Sequence, residues 1–356
     1  MRQGQYLGHM VTKGDRRTFV MAIERAKRLA EKDDAQPVLW THEGADPDGI
    51  GAMKFVRDYL SQKHGLTARI ITGPIMFTAR PFAERLGVDI SEKEDNFQSA
   101  GMHMVLDTCA KPLLNGARGV LVPERTLVID HHVPDVTSIE AAYMIRNAVA
   151  ISTCEMLASI VPVREITREG AFALAVGIAS DTDRLRVAER RTIAIFERLL
   201  RMANVKRTEI DELADPSWDP KITRMVGSDL NYANWQTYEV GSKEWVIAIG
   251  QTSLEAPFIL ANALRRLNAD ISASFTEIGI EKFKISIRVG FAQANKTGVH
   301  ANDIARRISQ LCELPQEQWG GGEIDRAGVV IPGTPTQVVV MINAAIKDII
   351  HLATKT

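Results

Sequence analysis

The architecture follows from one run of residues, Leu39-Trp40-Thr41-His42-Glu43-Gly44-Ala45-Asp46-Pro47-Asp48-Gly49-Ile50-Gly51. A short apolar segment ends in a histidine, and two aspartates and two glycines follow. Two carboxylates this close repel each other, and a bound cation is the usual way to neutralise them. Asp, Pro and Gly also favour simple turns. The run alone therefore leaves a cation site and a plain turn both open.

Three later segments have the same form, an apolar run that ends in acidic or histidine residues. They are 102–106 before Asp107, 125–129 before Asp130-His131-His132, and 169–179 before Asp181. Taken singly, each aspartate is typical of a helix N-cap, and a histidine pair is typical of a loop. Strands that alternate with helices predict a parallel sheet, whose sites lie beyond the carboxyl ends of the strands. The joint pattern therefore favours convergence at one sheet edge.

Length and composition limit the classes of function. The chain has 356 residues, enough for two domains, and its formal net charge of -1 provides no basic field for long duplex nucleic acid. The three cysteines, Cys109, Cys154 and Cys312, are odd in number and far apart, which favours free thiols in a reducing compartment. The first residues lack a signal-peptide core, and no segment has ~18 uninterrupted apolar residues. We expect a cytoplasmic protein without a membrane partner.

The predicted fold class is α/β, with two domains. Residues 1–205 are predicted as a parallel-sheet domain with an N-terminal helix and helices on both faces. The sequence Asp-Pro-Ser-Trp-Asp-Pro at 215–220 is typical of a connection, and 206–235 is predicted as the linker. Residues 236–356 are predicted as a smaller α+β domain.

Two elements of the second domain are predicted in more detail. Residues 270–277 and 281–289 are expected to form a hairpin. The closing helix at 337–351 has one apolar face, which is more typical of core packing than of a dimer seam. A homodimer stays open.

The donor set indicates which metal would bind. Carboxylates and imidazoles without a thiolate favour manganese or magnesium over structural zinc. Two ions about 3.5–4 Å apart can share one carboxylate, activate a water and clamp a phosphoryl oxygen. Asp107, at the end of a central strand, is the natural candidate for the shared carboxylate.

The motifs resemble those of a known family. His42-x-x-x-Asp46-x-Asp48-x-x-Gly51, Asp107, Asp130-His131-His132 and Asp181-Thr182 resemble the four motifs of the DHH phosphoesterase superfamily. The later sequence is similar to the DHH-associated domain of its oligoribonuclease/pAp-phosphatase (nano-RNase) branch. That similarity is carried by Arg288, His300-Ala301-Asn302-Asp303-Ile304-Ala305, Gly320-Gly321-Gly322 and Ala327-Gly328, and by a helix start at Ser152-Thr153-x-Glu155.

The resemblance implies a dinuclear manganese site, with Mg²⁺ as the alternative metal. The implied ligands are His42 and Asp46 for one ion, Asp48, His131 and Asp181 for the other, and Asp107 as the bridge. His132 would contact the scissile phosphate or assist the leaving oxygen. Asp130 would not bind a metal itself but would hold the orientation of a residue that does, as metal-bound histidines normally require.

The resemblance also implies that the second domain closes over the cleft and holds the nucleotide. Arg288 would contact a phosphate, and the backbone of Gly320, Gly321 and Gly322 would approach it closely. His300 and Glu323 complete the expected substrate contacts.

Two positions depart from the family pattern. Glu323 stands where the glycine loop usually ends in histidine, and its carboxylate would repel a terminal phosphate unless paired, with Arg326 as a candidate partner. Asp183 stands where a glycine is common. Both border the substrate rather than the metals, so they bear on the choice of substrate.

The predicted function is a manganese-dependent phosphoesterase for short nucleotides: oligonucleotides of a few residues, linear dinucleotides or 3′-phosphonucleotides. A cyclic-dinucleotide phosphodiesterase is the second candidate, because related DHH proteins use that chemistry. Pyrophosphatase is weaker, since the second domain resembles one built for nucleotides. A catalytically silent nucleotide-binding or scaffold protein related to RecJ is the candidate from another class. It predicts damaged metal motifs, whereas these motifs are intact.

Overall fold

A computed structural model describes residues 11–73, 75–88, 101–114, 120–132, 138–216, 218–241, 243–322 and 324–354. The chain divides into two compact units, Met1–Ser217 and Trp218–Thr356, and each has its own hydrophobic core. The division falls inside 206–235, the range predicted as the linker. Two helices, Arg207–Ala214 and Pro220–Asn231, occupy most of that range, because Ile210 and Val226 are buried anchors and Asp219 caps the second helix.

Unit 1 contains a five-stranded sheet in which every strand is parallel to its neighbours. The strands are β1 (Val38–Trp40), β2 (Arg69–Ile71), β3 (His103–Leu106), β4 (Thr126–Asp130) and β5 (Tyr143–Arg146), in the spatial order β2-β1-β3-β4-β5. The predicted α/β class with a parallel sheet is therefore confirmed. Strand β5 was missing from the prediction, because only Ile145 of its four residues is fully buried and no apolar run marks it.

Helical segments lie on both faces of this sheet. In the part of unit 1 that the structure describes, the α-helices are α1 (Lys13–Asp33), α2 (Pro47–His64), α3 (Arg80–Arg85), α4 (Thr153–Ile160), α5 (Arg168–Asp181), α6 (Arg190–Ala203) and α7 (Arg207–Ala214). Residues of these helices pack on one face of the sheet, where Leu39, Leu106 and Ile129 are buried in the same core. On the other face, Leu114 ends a 3₁₀ turn and packs over Trp40. The alternation along each strand thus divides its side chains between two layers.

The first turn of α2 is fixed by its own sequence. Asp46 is the N-cap, and its carboxylate accepts hydrogen bonds from the backbone N–H of Asp48 and of Gly49. Pro47 occupies the first helical position, where no backbone donor is needed. Gly65 ends the helix in the left-handed conformation. The acidic loop is therefore also the start of a buried helix.

Unit 2 contains a six-stranded mixed sheet. The strands are β6 (Asn234–Val240), β7 (Lys243–Gln251), β8 (Ile271–Gly279), β9 (Lys282–Val289), β10 (Gly321–Gly322) and β11 (Arg326–Pro332), in the spatial order β10-β11-β9-β8-β7-β6. Among the described strands of unit 2, β7 and β8 pair in parallel and the other neighbours pair antiparallel, and a helix connects β7 to β8. The predicted hairpin is confirmed as β8–β9. Strand β6 was not predicted, since its residues are exposed or half-buried and carry no apolar alternation.

The helices of unit 2 are α8 (Pro220–Asn231), α9 (Phe258–Arg266), α10 (Phe291–Thr297), α11 (Ala301–Leu311) and α12 (Pro335–Ala353). Of the helices in the described residues, α12 is the one whose length and composition, with a mean hydropathy of 1.3, would suffice to cross a membrane. Val338, Ile342 and Ile346 of α12 are fully buried in the core of unit 2. Core packing therefore accounts for the buried face of α12.

Glycines let the helices around the acidic loop pack closely. A Cβ added to Gly51 in α2 would lie 2.6 Å from the carbonyl oxygen of Ala173 in α5. A Cβ added to Gly177 in α5 would lie 2.4 Å from Sγ of Cys154 in α4. The Ala173 carbonyl belongs to the backbone and cannot move aside as a side-chain tip can, so position 51 excludes larger residues.

We expect Gly51→Ala to lower the free energy of unfolding by about 1–3 kcal/mol, because α2 and α5 must separate to admit the new methyl group. The matched control is Gly227→Ala in the exposed face of α8, where no atom lies within 4 Å of the added Cβ. That control should stabilise by up to about 1 kcal/mol, since alanine is the better helix former. Urea unfolding measures both variants, and equal effects would contradict the close helix contact.

Candidate metal centre

The site lies at the carboxyl ends of three adjacent strands. His42 follows β1, Asp107 follows β3, and Asp130 is the last residue of β4. Because β1, β3 and β4 are neighbours in a parallel sheet, these ends meet at one edge. Asp181 reaches the same place from the last turn of α5. The structure thus brings together acidic and histidine residues that are far apart in sequence.

One group of potential ligands contains His42, Asp46 and Asp107. Nε2 of His42 lies 3.9 Å from Oδ1 of Asp46 and 3.5 Å from Oδ2 of Asp107. Ligand atoms of one ion lie about 3–4 Å apart, because each is roughly 2.1 Å from the metal. The spacing of this group fits one cation.

A second group contains Asp48, His131 and Asp181, with Asp107 beside it. Nε2 of His131 lies 4.0 Å from Oδ2 of Asp48, 3.2 Å from Oδ2 of Asp181 and 3.4 Å from Oδ1 of Asp107. The first three residues offer ligand atoms that lie within 4.8 Å of one another. The spacing of this group also fits one cation.

Asp107 connects the two groups. Its Oδ2 faces His42 and its Oδ1 faces His131, so each oxygen belongs to a different group. The side chain is 1% exposed. Its backbone has φ of +65°, a left-handed conformation that is uncommon for residues other than glycine and is often retained at functional sites. The arrangement is the one expected of a bridging carboxylate.

The charges of the site are only partly balanced by protein groups. Burial raises the pKa of Asp48, and the neighbouring carboxylates of Asp107 and Asp181 raise it further. Burial alone would also raise the pKa of Asp107, but hydrogen bonds from His131 and His42 hold it well below its usual range. Buried carboxylates that repel each other in this way fit a site for divalent cations.

His42 carries the strongest opposing effects. Burial disfavours its imidazolium, yet the hydrogen bond to Asp107 and the charges of Asp46 and Asp107 outweigh burial and raise its pKa to about 9. Nδ1 of His42 lies 3.0 Å from the carbonyl oxygen of Glu43, which directs Nε2 toward the two carboxylates. Without metal, His42 therefore carries a proton at neutral pH, and a cation at that position must displace it.

His132 is held by Asp130 beside the two ligand groups. Nδ1 of His132 lies 2.7 Å from Oδ1 of Asp130, whose side chain is fully buried. Burial and the charge of His131 lower the pKa of His132, but the hydrogen bond and charge of Asp130 outweigh them and raise it. The His132 side chain is 33% exposed. It is therefore oriented, able to be protonated and open to a small molecule.

A left-handed turn follows Asp181. Three consecutive residues, Asp183, Arg184 and Leu185, have φ of +49°, +57° and +70°. Glycine adopts positive φ without strain. Aspartate tolerates this conformation better than most residues. Its carboxylate contacts Nε of Arg186 at 2.9 Å.

The predicted substrate contacts of unit 2 lie near one another. Arg288 on β9 is the cross-strand neighbour of Arg326 on β11, and Gly322 on β10 pairs with the next residue of β11. His300 caps α11, whose first N–H donates to the carbonyl oxygen of Ile324. All of these groups therefore surround one end of the unit 2 sheet.

Packing within unit 2 explains two glycines of the loop, Gly320 and Gly322. A Cβ at Gly320 would lie 2.7 Å from the carbonyl oxygen of Gly328, and one at Gly322 would lie 2.4 Å from that of Arg326. Arg288 is also held in place, because its Nε donates to Oδ1 of Asn262 at 2.7 Å. Glu323, predicted to contact substrate, lies outside the described residues. The substrate roles of this group stay predictions.

Thr153 is a member of the site for which the sequence predicted no contact. Its hydroxyl donates to Oδ1 of Asp107 at 3.0 Å, and its side chain is fully buried. The only signal in the sequence was the helix start around Ser152, which predicts a cap but not what the next side chain contacts.

No protein-family model matches the chain, and no curated protein does either. Among solved structures, an exopolyphosphatase-related protein from Bacteroides fragilis aligns over 98% of this chain and 100% of its own, with a TM-score of 0.69 and 18% identity. RecJ from Thermus thermophilus, in complex with Mn²⁺, aligns over 98% of this chain with a TM-score of 0.51 and 13% identity. This chain spans 56% of that RecJ chain. The likeness to these two structures shows the fold of this chain. The oligoribonuclease/pAp-phosphatase branch stays a prediction.

We expect the metal-free protein to lose stability as the pH rises from 6.5 to 9. The pKa of His42 is about 9 in the folded protein and 6.5 in the unfolded chain. Its contribution is therefore complete below pH 6.5 and is lost through pH 9, by on the order of 3 kcal/mol. Unfolding temperatures in EDTA across this range should fall less for His42→Gln. The control His351→Gln, in unit 2, should keep the parent's fall, and an unchanged fall in His42→Gln would contradict the assignment.

We expect position 183 to accept glycine but not a β-branched residue. Asp183→Gly removes an exposed ion pair but also the strain at positive φ, so stability should change by no more than about 0.5 kcal/mol. Asp183→Val should lower it by about 1–2 kcal/mol, because the left-handed conformation crowds its Cβ. Urea unfolding compares the two, and equal stability would argue against the left-handed turn.

Proposed function

We propose that this chain is a metal-dependent phosphoesterase that uses two manganese ions to hydrolyse short nucleotide substrates. The single observation that supports the proposal is the position of Asp107, whose two oxygens face two different groups of aspartate and histidine ligands. A site for one structural ion needs no carboxylate between two ligand groups, whereas two ions about 3.5–4 Å apart can share one and clamp a phosphoryl oxygen. The fold shared with RecJ and with the exopolyphosphatase-related protein agrees with this chemistry.

The donor set fits two divalent cations. His42 and Asp46 would hold one ion, Asp48, His131 and Asp181 the other, and Asp107 would hold both. Bound there, the ions would supply an activated water and neutralise charge on the phosphoryl oxygens. Oxygen and imidazole donors suit manganese, with magnesium as the alternative.

His132 would act on the substrate rather than on the metals. Asp130 fixes its Nδ1, which orients the ring and favours its protonated form. A protonated imidazole can contact the scissile phosphate and can give its proton to the departing oxygen. Asp130 itself is fully buried and reaches the substrate only through His132.

Unit 2 would provide the recognition of the nucleotide. Arg288 offers a guanidinium for a phosphate, and backbone N–H groups near Gly321 and Gly322 suit an anion. His300 lies at the start of α11, where helix N–H groups also favour negative charge. The formal net charge of -1 suits short substrates better than a long tracked strand. The cytoplasmic location and a homodimer stay predictions.

A substrate panel with Mn²⁺ tests the proposal. The panel contains linear dinucleotides, short oligonucleotides, a 3′-phosphonucleotide, a cyclic dinucleotide and polyphosphate, and product analysis identifies the bond that is cleaved. We expect turnover of at least one linear nucleotide. Asp107→Asn and His131→Ala should lower the rate by at least about 100-fold, since loss of a shared metal is worth several kcal/mol in the transition state.

The matched control for Asp107→Asn is Asp33→Asn at the exposed end of α1, which should keep the parent rate. Parent activity in either site variant would refute the assigned site. Tight binding of a nucleotide without any product would instead favour the silent binding protein, and turnover of polyphosphate alone would remove the nucleotide from the proposal.

A further inference from the structure

The first turn of α4 contacts two of the buried carboxylates. The backbone N–H of Thr153 donates to Oδ2 of Asp48 at 2.7 Å, and that of Cys154 donates to Oδ1 of the same residue at 3.0 Å. The hydroxyl of Thr153 donates to Oδ1 of Asp107 at 3.0 Å. One residue of α4 therefore touches a ligand of one ion and the carboxylate shared by both.

We infer that Thr153 is a positioning residue that sets the orientation of the Asp107 carboxylate and thereby the affinity for the pair of ions. The inference rests on the proposed two-metal function. Thr153 contacts neither substrate nor water in this role. It acts only through Asp107.

To face both ligand groups, the Asp107 carboxylate must keep Oδ2 toward His42 and Oδ1 toward His131. Rotation about the last bond of Asp107 would turn both oxygens away from His42 and His131, and the backbone alone does not prevent it. A hydroxyl bonded to Oδ1 occupies one of its two lone-pair directions and leaves the other for a cation. Because the acceptor is charged and buried, this hydrogen bond is strong and directional. It holds Oδ1 on the side of His131 and Oδ2 on the side of His42.

Thr153 can serve this purpose because α4 is itself fixed in place. Ser152 caps the helix by accepting a hydrogen bond from the N–H of Glu155 at 3.0 Å. The carboxylate of Glu155 accepts from the N–H of Ile151 at 3.1 Å and from the hydroxyl of Thr192 at 2.8 Å. A full capping box would require the glutamate to accept from the N–H of the N-cap residue Ser152. Glu155 accepts from other groups. It ties α4 to α6 instead.

Cys154 fixes the same turn on its other side. Its thiol donates to the carbonyl oxygen of Asp48 at 3.4 Å. Its sulfur also packs against two glycines: a Cβ added to Gly177 would lie 2.4 Å from Sγ, and one added to Gly51 would lie 3.2 Å from it. The first turn of α4 is thus enclosed by α2 and α5, so the Thr153 hydroxyl has little freedom to move away from Asp107.

The helix N-terminus has a complementary effect on Asp48. Two backbone N–H groups and the positive end of the helix dipole favour its anion, against burial and the neighbouring carboxylates. Only proline would remove one of these N–H groups, and it would also constrain the backbone, so the hydroxyl of Thr153 is the part that mutation can test cleanly.

Isothermal titration of the full chain with MnCl₂ tests the inference. Thr153→Val removes the hydroxyl at nearly constant volume, and Thr153→Ala is a second hydroxyl-free variant in case valine disturbs the fold. We expect both to weaken binding of at least one of two Mn²⁺ ions by about 10–100-fold, the range typical for partners of metal ligands. Thr153→Ser keeps the hydroxyl and should bind within about threefold of the parent. Electron paramagnetic resonance should show a coupled Mn²⁺ pair in the parent and serine variant, and a weakened coupling without the hydroxyl.

The matched control is Thr126→Val, which also loses the hydrogen bond of a buried hydroxyl, here to the carbonyl oxygen of Val122, but lies at the first residue of β4, at the end of the strand opposite the proposed ligands. It should lower the unfolding temperature while both Mn²⁺ affinities stay at the parent values. Two ions bound by Thr153→Val and Thr153→Ala with parent affinity would overturn the inference and leave the proposed function standing. Loss of Mn²⁺ affinity in both hydroxyl-free variants, together with a parent that hydrolyses no phosphoester, would support the role of Thr153 and refute the enzyme. A parent that binds no Mn²⁺ would overturn both.

Discussion

Repulsion between buried carboxylates is the constraint on which the rest of unit 1 depends. Asp48 and Asp107 are almost completely buried, and two further aspartates lie beside them. In a protein interior such charges are costly unless they are paired or bind metal. The chain compensates with two helix N-termini, one on Asp46 and one on Asp48, and with two imidazoles on Asp107. What these groups leave unbalanced is the charge that divalent cations would supply.

The same constraint accounts for features that would otherwise lower stability. Glycines at 51 and 177 remove core side chains, yet they let three helices meet around Cys154 and direct their ends at the carboxylates. Asp107 and the residues after Asp181 adopt left-handed backbone, which costs about 1–2 kcal/mol for each such residue and persists only where the surroundings impose it. Close helix packing and local strain are thus both concentrated at the edge of the sheet where the ligands meet.

The ligand groups could be predicted from the sequence because each follows a buried element, and parallel strands bring such positions together whatever the loops between them do. Contacts to these ligands from neighbouring helices could not be predicted. Thr153 reaches Asp107 only through the angle at which α4 enters the core, and no local pattern encodes that angle. Strands β5 and β6 escaped prediction because few of their residues are buried, so neither carries a strong period. The two short helices in the range predicted as the linker also escaped prediction. Each has a single buried residue, Ile210 or Val226, instead of the apolar stripe that marks a helix in a sequence.

The central claim is that Asp107 bridges two cations. Crystals of the parent protein soaked in MnCl₂ and measured at the manganese absorption edge test it most directly, since anomalous scattering locates each ion independently of the protein density. The account predicts two peaks about 3.5–4 Å apart, with one oxygen of Asp107 on each, His42 on one ion and His131 on the other. A single peak, or two peaks of which the Asp107 carboxylate contacts only one or neither, would contradict it.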